Sequence, residues 1–141
     1  MSEKASATPR MVVSDPRERK ASTIQLTPQQ LTLLIGKKIG DVLSGEPFGL
    51  KGVSIKITGG SDRDGFPMRA DVSGSRKVRV LLTGPPGYHP REKPPSKRKK
   101  RRNRRNVKGL RKRVTVRGNV IGDAIAQINV VALPREEVKT G

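Results

Sequence analysis

"KGVSIKITGGSDRDGFPM", residues 51–68, decides the fold class. Val53, Ile55 and Ile57 alternate with Ser54, Lys56 and Thr58, the period of a strand that buries one face. The alternation meets Gly59-Gly60, and a polar stretch follows. Asp62, Asp64 and Gly65 there resemble a fragment of a calcium loop, but the further Asp or Asn and the distal Glu of that loop are missing. No Gly-Lys-Ser/Thr follows to make a phosphate-cradling loop. The expected structure is a tight turn between strands, with glycines at positive φ, Asp side chains accepting backbone amides, and Arg63 at the tip.

The same period extends towards the C-terminus. In "RKVRVLLTG", Val78, Val80 and Leu82 oppose Lys77, Arg79 and Leu81. In "RVTVRG", Val114 and Val116 oppose Thr115 and Arg117, and "AIAQINVVALP" closes the series at Pro134. Gly74 and Gly118 mark further turns. Towards the N-terminus, Met11 to Val13 make a short apolar start before the turn signal Ser14-Asp15-Pro16. Arg19 to Leu26 then offers a strand with Ile24 and Leu26 on one face. "TPQQLTLLIG" has the form of a helix start: Thr27 caps, Pro28 takes the first position and Gln30 completes a capping box. Leu31, Leu34 and Ile35 share one side of that helix, and Gly36 ends it. "KKIGDVLSG" is expected to add a second short helical turn.

These segments predict a mainly β protein, a small β-barrel-like domain of four to six strands over residues 11–134 with one or two short helices. A long loop or arm over 84–110 interrupts it, and residues 1–10 and 135–141 read as tails. No internal repeat is present.

Charge singles out the arm. The chain of 141 residues has 31 Lys and Arg against 12 acids, a net charge of +19. Between Arg91 and Arg117 there are 15 basic residues and one acid, Glu92, so that window alone carries +14. From Lys97 to Arg105, eight of nine residues are basic. Prolines at the start of the arm and charge in its remainder oppose packing, so it is expected to stay disordered or loosely extended until a partner binds. Such a run is the footprint of a polyanion binder. A membrane surface is excluded because the run lacks an apolar stripe, and the longest apolar stretches are far too short to span a bilayer. Nucleic acid remains.

The mode of binding follows from what is scarce. Two Phe, one Tyr and no Trp cannot build a platform that stacks single-stranded bases, so backbone and shape should dominate recognition. The contacts expected in the arm and its continuation are Arg91, Lys97, Arg98, Lys99, Lys100, Arg101, Arg102, Arg104, Arg105, Lys108, Arg111, Lys112 and Arg113. Lys56, Arg63, Arg69, Arg79 and Arg117, on polar strand faces or turns, should add a folded basic surface. The charge alone fits DNA as well as RNA. A DNA-architectural protein is the rival reading, although no apolar wedge for a minor groove stands out. Enzyme chemistry has no constellation to stand on. The one histidine, His89, lies in the Pro-rich loop without a nameable partner, and no Ser-His-Asp spacing or metal cluster appears. No cofactor, metal or small-molecule substrate is expected. The sequence has no cysteine, and MSEKASATPR lacks the apolar core of a signal peptide, which together favour the cytoplasm.

Three segments carry a resemblance to a known family. "ITGGSDRDGFPM" is similar to the Gly-Gly-Asn/Ser-Asp…Gly-Phe-Pro-Met pattern of the archaeal-eukaryotic small-subunit ribosomal proteins of the S-six family. "RKRVTVRGNVIGDAIAQINVVAL" resembles that family's basic strand, Arg-Gly turn and final strand, and "GPPGYHPRE" its Gly-aromatic-x-Pro-Arg loop. The resemblance covers residues 50–134 well, and residues 11–49 mainly in the order of elements. It implies a barrel protein of the 30S/40S subunit, bound to small-subunit ribosomal RNA beside neighbouring ribosomal proteins. The sequence ends soon after Pro134, without the long helical tail of the eukaryotic members, from which the archaeal type is expected.

Overall fold

Burying the apolar rows requires neighbours for their strands, and the way those neighbours are supplied defines the architecture. The computed structural model describes residues 8–89 and 111–134. Residues 1–7 and 135–141 of the expected tails and most of the arm, with Arg91, Lys97 to Arg105 and Lys108, lie outside the described residues.

Seven strands are present among the described residues: β1 (Arg10–Asp15), β2 (Lys20–Gln25), β3 (Val42–Ser44), β4 (Val53–Asp62), β5 (Lys77–Leu82), β6 (Lys112–Arg117) and β7 (Ile125–Pro134). One α-helix, α1 (Pro28–Leu34), precedes β3, and a 3₁₀ turn, Glu46–Phe48, follows it. The fold is mainly β, as the period-two pattern requires. Five strands make one sheet in the order β2-β1-β7-β4-β3, in which only β1 and β7 run parallel. β5 and β6 form a separate antiparallel ribbon. The expected barrel does not close, because β2 and β3 remain edges of the sheet.

The inner face of the sheet holds the core. Met11 and Val13 of β1, Ile55 and Ile57 of β4, and Ile128 and Val130 of β7 are all buried, joined by Leu26, Leu34, Phe48, Met68, Ile121 and Ile125. Removing such side chains from water is the main stabilising term, at roughly 25 cal/mol per Å² of apolar surface. α1 starts as its sequence dictates. The Thr27 hydroxyl accepts the Gln30 N–H at 3.3 Å while the Gln30 side chain accepts the Thr27 N–H at 3.0 Å. The helix ends one residue early, however. Ile35 takes an extended conformation and its side chain is exposed, so only Leu34 and part of Leu31 face the core.

Two further expectations are corrected. "KKIGDVLSG" is not helical: Gly40, at φ +98°, reverses the chain, the Asp41 carboxylate accepts the Lys38 N–H, and Val42–Ser44 joins the sheet edge. Gly59-Gly60 is not a turn. β4 continues through both glycines, and the extra residue Thr58 makes a bulge between the Ile57 and Gly59 pairs with β7. The two glycines differ. A Cβ on Gly59 would meet nothing within 4 Å, whereas one on Gly60 would lie 2.5 Å from the Gln127 carbonyl oxygen and 3.1 Å from Met68 Sδ. Gly60→Ala is therefore expected to destabilise the protein by about 1–3 kcal/mol, as overpacking does, and Gly59→Ala by much less. Chemical denaturation of the two variants checks this. Equal losses would contradict the close approach.

Candidate nucleic-acid interface

The turn that follows β4 is built by one carboxylate. Asp62 Oδ1 accepts the N–H groups of Asp64 at 2.9 Å and Phe66 at 2.8 Å, and Gly65 supplies the positive φ that the reversal needs. Asp62 Oδ2 accepts the Arg117 Nε–H at 2.8 Å, from a residue distant in the chain at the end of β6. The Asp62 side chain is 1% exposed and that of Arg117 15%. Backbone bonds reinforce the junction. The Arg117 N–H donates to the Pro67 carbonyl and its own carbonyl accepts the Arg69 N–H, while the Met68 N–H donates to Gly60. Residues 66–69 thus tie the sheet to the ribbon.

The ribbon contains no acidic residue. Its register pairs Lys77 with Arg117, Arg79 with Thr115 and Leu81 with Arg113, which places these six side chains on one face. At the base of that face the charges are compensated. Arg117 meets Asp62, and Lys77 reaches Asp64 at 2.6 Å while lying 5.1 Å from the Phe66 ring centre. Farther along, Arg79 and Arg113 are exposed and have no carboxylate partner among the described residues, and Leu81 between them is 55% exposed. The opposite face is covered by the Gly-Pro-Pro-Gly loop, which runs from Leu82 back towards the base, where Gly87 lies against Val116 and Arg69 holds the Pro86 carbonyl. β5 ends and β6 begins at the uncompensated end of the ribbon, so the chain between them, which contains the basic run, starts and finishes there in sequence.

The expected folded contacts therefore divide. Lys56, Arg63, Arg79, Arg111, Lys112 and Arg113 are exposed. Arg69 and Arg117 turn inward instead. Arg69, 15% exposed, forms a bidentate pair with Asp71 and donates to the Pro86 carbonyl at 2.7 Å, anchoring the loop at the foot of the arm. Arg117 also donates to the Ser75 carbonyl. Both build the platform. Arg10, read from the sequence as part of a tail, is the first residue of β1 and is exposed. Its alternation with Met11 and Val13 was the available signal. His89 is exposed in its loop, and no group of three or more His, Cys, Asp or Glu side chains able to hold a metal occurs among the described residues. No helix among them is long and apolar enough to cross a membrane.

Burial acts to raise the Asp62 pKa, but the hydrogen bonds from Arg117, Phe66 and Asp64 and the Arg117 charge outweigh it, holding the carboxyl below its ordinary value. A depressed folded pKa contributes stability that is full above the unfolded value and lost as pH falls through the folded one. Asp62→Asn should cost about 3 kcal/mol at neutral pH by leaving a mostly buried guanidinium without its charge partner. Between about pH 5 and pH 2 the wild type should lose stability more steeply than the variant. Urea unfolding over that range measures both slopes, and parallel slopes would show that Asp62 is not the acid-sensitive tie.

The sequence pattern of the family described as "Ribosomal protein S6e" matches residues 9–105, from β1 through β5 and into the arm. Proteins named small ribosomal subunit protein eS6 are similar over most of the chain. The one from Methanocaldococcus jannaschii is 46% identical over 123 residues, covering 87% of this chain and 80% of that protein. The one from Archaeoglobus fulgidus is 43% identical over 130 residues, covering 92% and 89%. The one from Staphylothermus marinus is 49% identical over 112 residues, covering 79% of this chain but 45% of its own length, so this chain spans about half of that relative.

Proposed function

The chain belongs to the ribosomal protein S6e family, and from that premise we propose that it is a structural constituent of the small ribosomal subunit. On this reading it binds small-subunit ribosomal RNA through the basic arm over 84–110 and the exposed basic face of the β5–β6 ribbon, lies beside other ribosomal proteins, and works in the cytoplasm without catalysing a reaction.

One observation carries the reading. Charge is balanced where the ribbon meets the sheet and left unbalanced at its other end, where β5 ends and β6 begins. Arg79 and Arg113 present planar forks suited to bidentate contact with phosphate, and Leu81 between them offers an apolar surface for a ribose or base edge. The arm multiplies that charge with Lys97, Arg98, Lys99, Lys100, Arg101, Arg102, Arg104 and Arg105. Closely packed phosphates in a folded RNA take up such a segment because each one neutralised releases condensed counterions. The relatives named above carry the small subunit in their names, which supports RNA over DNA as the polyanion.

Deleting residues 97–105 should flatten the plot of log affinity against log salt for a small-subunit ribosomal RNA fragment. The expected change is roughly 0.7–0.9 per lost phosphate contact. Arg79→Gln with Arg113→Gln should add a smaller loss in the same direction. Thermal unfolding should show the domain intact in both. An unchanged slope in the deletion variant would remove the arm from the interface, and equal affinity for duplex DNA of the same length would favour the architectural reading.

A further inference from the structure

A second cationic site lies away from the ribbon, on the outer face of the five-stranded sheet. The strand registers place Gln25 of β2, Arg10 of β1, Gln127 of β7 and Ser61 of β4 in one row across four strands. At about 4.8 Å per strand, the row is roughly 14 Å long. It forms one side of a cleft of about 530 Å³, completed by Arg63 and Asp62 of the turn.

Among the described residues, no carboxylate neutralises Arg10 or Arg63 in this cleft. Arg10 donates from Nε at 3.1 Å and Nη2 at 2.9 Å, but to the neutral Gln127 Oε1. Gln127 in turn donates to Asn129 Oδ1 at 2.9 Å, so its amide is held in one orientation and Arg10 is held flat along the sheet. Among the described residues, the Arg63 side chain has only a long contact, 3.5 Å, to the Asp123 carbonyl. The single carboxylate in the lining, Asp62, is spent on Arg117 and two backbone amides, and its side chain is 1% exposed. Gln25 and Ser61 make no side-chain hydrogen bond among the described residues. Two guanidinium groups with donors left over, one from β1 and one from the turn after β4, thus face the cleft beside unused neutral polar groups. Lys56 lies farther along the same outer face.

We infer that this cleft binds the phosphodiester backbone of RNA, with Arg10 and Arg63 on phosphate oxygens and Gln25 and Ser61 on the ribose or the next phosphate. The inference rests on the RNA reading above and adds a contact that is independent of the arm. A guanidinium fixed in plane by Gln127 loses little freedom on meeting a phosphate, which favours a defined contact over a diffuse one. A cleft lined this way would not hold an apolar ligand.

The test uses the full chain, an RNA fragment that the wild type protects within small-subunit ribosomal RNA, and a salt series. Arg10→Gln with Arg63→Gln, the arm intact, should weaken binding by roughly sixfold per arginine at about 0.1 M salt and flatten the slope by about 0.7–0.9 per arginine. Ser61→Asp places a carboxylate in the cleft while keeping both arginines, and should also weaken binding. It decides the matter if the double variant fails to fold. Inorganic phosphate, titrated while the arginine Nε–H signals are followed by NMR, should shift them only at millimolar or higher concentration, whereas the RNA fragment shifts them at its binding concentration. Wild-type affinity and slope in both cleft variants, with the arm deletion still flattening the slope, would overturn the cleft and leave the RNA reading standing. If neither the cleft variants nor the arm deletion changed binding, the RNA reading itself would fall. Saturation by micromolar inorganic phosphate would make this a free-anion site and overturn the assignment to an RNA backbone.

Discussion

The bond between Asp62 and Arg117 is the constraint on which the rest of the structure depends. One carboxylate closes the turn after β4 and holds the end of β6, 55 residues away in the chain. Without it, a two-stranded ribbon is only marginally stable in water. With it, Pro67 and Arg69 add backbone bonds on either side of Arg117, and the ribbon becomes an extension of the sheet. A buried ion pair costs desolvation as well as gaining attraction, so its main contribution is to place the ribbon rather than to strengthen the core. The placement decides which cations are left to act. Asp62 and Asp64 neutralise Arg117 and Lys77 at the base, and Arg79 and Arg113 stay open at the other end of the ribbon.

Much of this was legible in the sequence, and the limits have physical causes. Alternating Val53, Ile55 and Ile57, and the Thr27–Gln30 capping box, are local signals, and the structure follows both. Gly59-Gly60 misleads because a glycine pair also suits a close approach between strands, here that of Gly60 to the Gln127 carbonyl. Only the paired strand β7, far along the chain, selects the bulge. "KKIGDVLSG" misleads because a three-residue edge strand owes its form to β4, not to its own pattern. The inward turn of Arg69 and Arg117 was illegible for a related reason. A charge on the polar side of a strand reads as exposed until its partner is known. Asp71 lies two residues from Arg69, but Pro86 and Asp62 are remote from the arginines they bind. The arm lies outside the described residues, and its reading rests on its charge density in the sequence.

A protein of this composition faces a problem of self-repulsion, because a net charge of +19 on 141 residues opposes compactness. The fold answers by segregation. Acids gather where strands must be joined, at Asp62, Asp64 and Asp71, and the excess of cations is carried on surfaces and in the arm. The same division separates folding from binding. The apolar inner face and the Asp62 tie are built from this chain alone, and on the proposed reading the ribbon, the arm and the sheet cleft are the part that a polyanion completes. Neutral amides and small side chains on the outer sheet face keep it from collapsing onto its own charges, which leaves Arg10 and Arg63 available.

The central claim is that the Asp62 tie orients the ribbon so that its uncompensated end meets ribosomal RNA. A cryo-EM map of small ribosomal subunits carrying this chain tests that most directly. The account predicts the Asp62–Arg117 bond intact, with RNA phosphate oxygens within hydrogen-bond distance of Arg79 and Arg113. A ribbon face turned to solvent or packed against another protein, with RNA absent from it, would contradict the account.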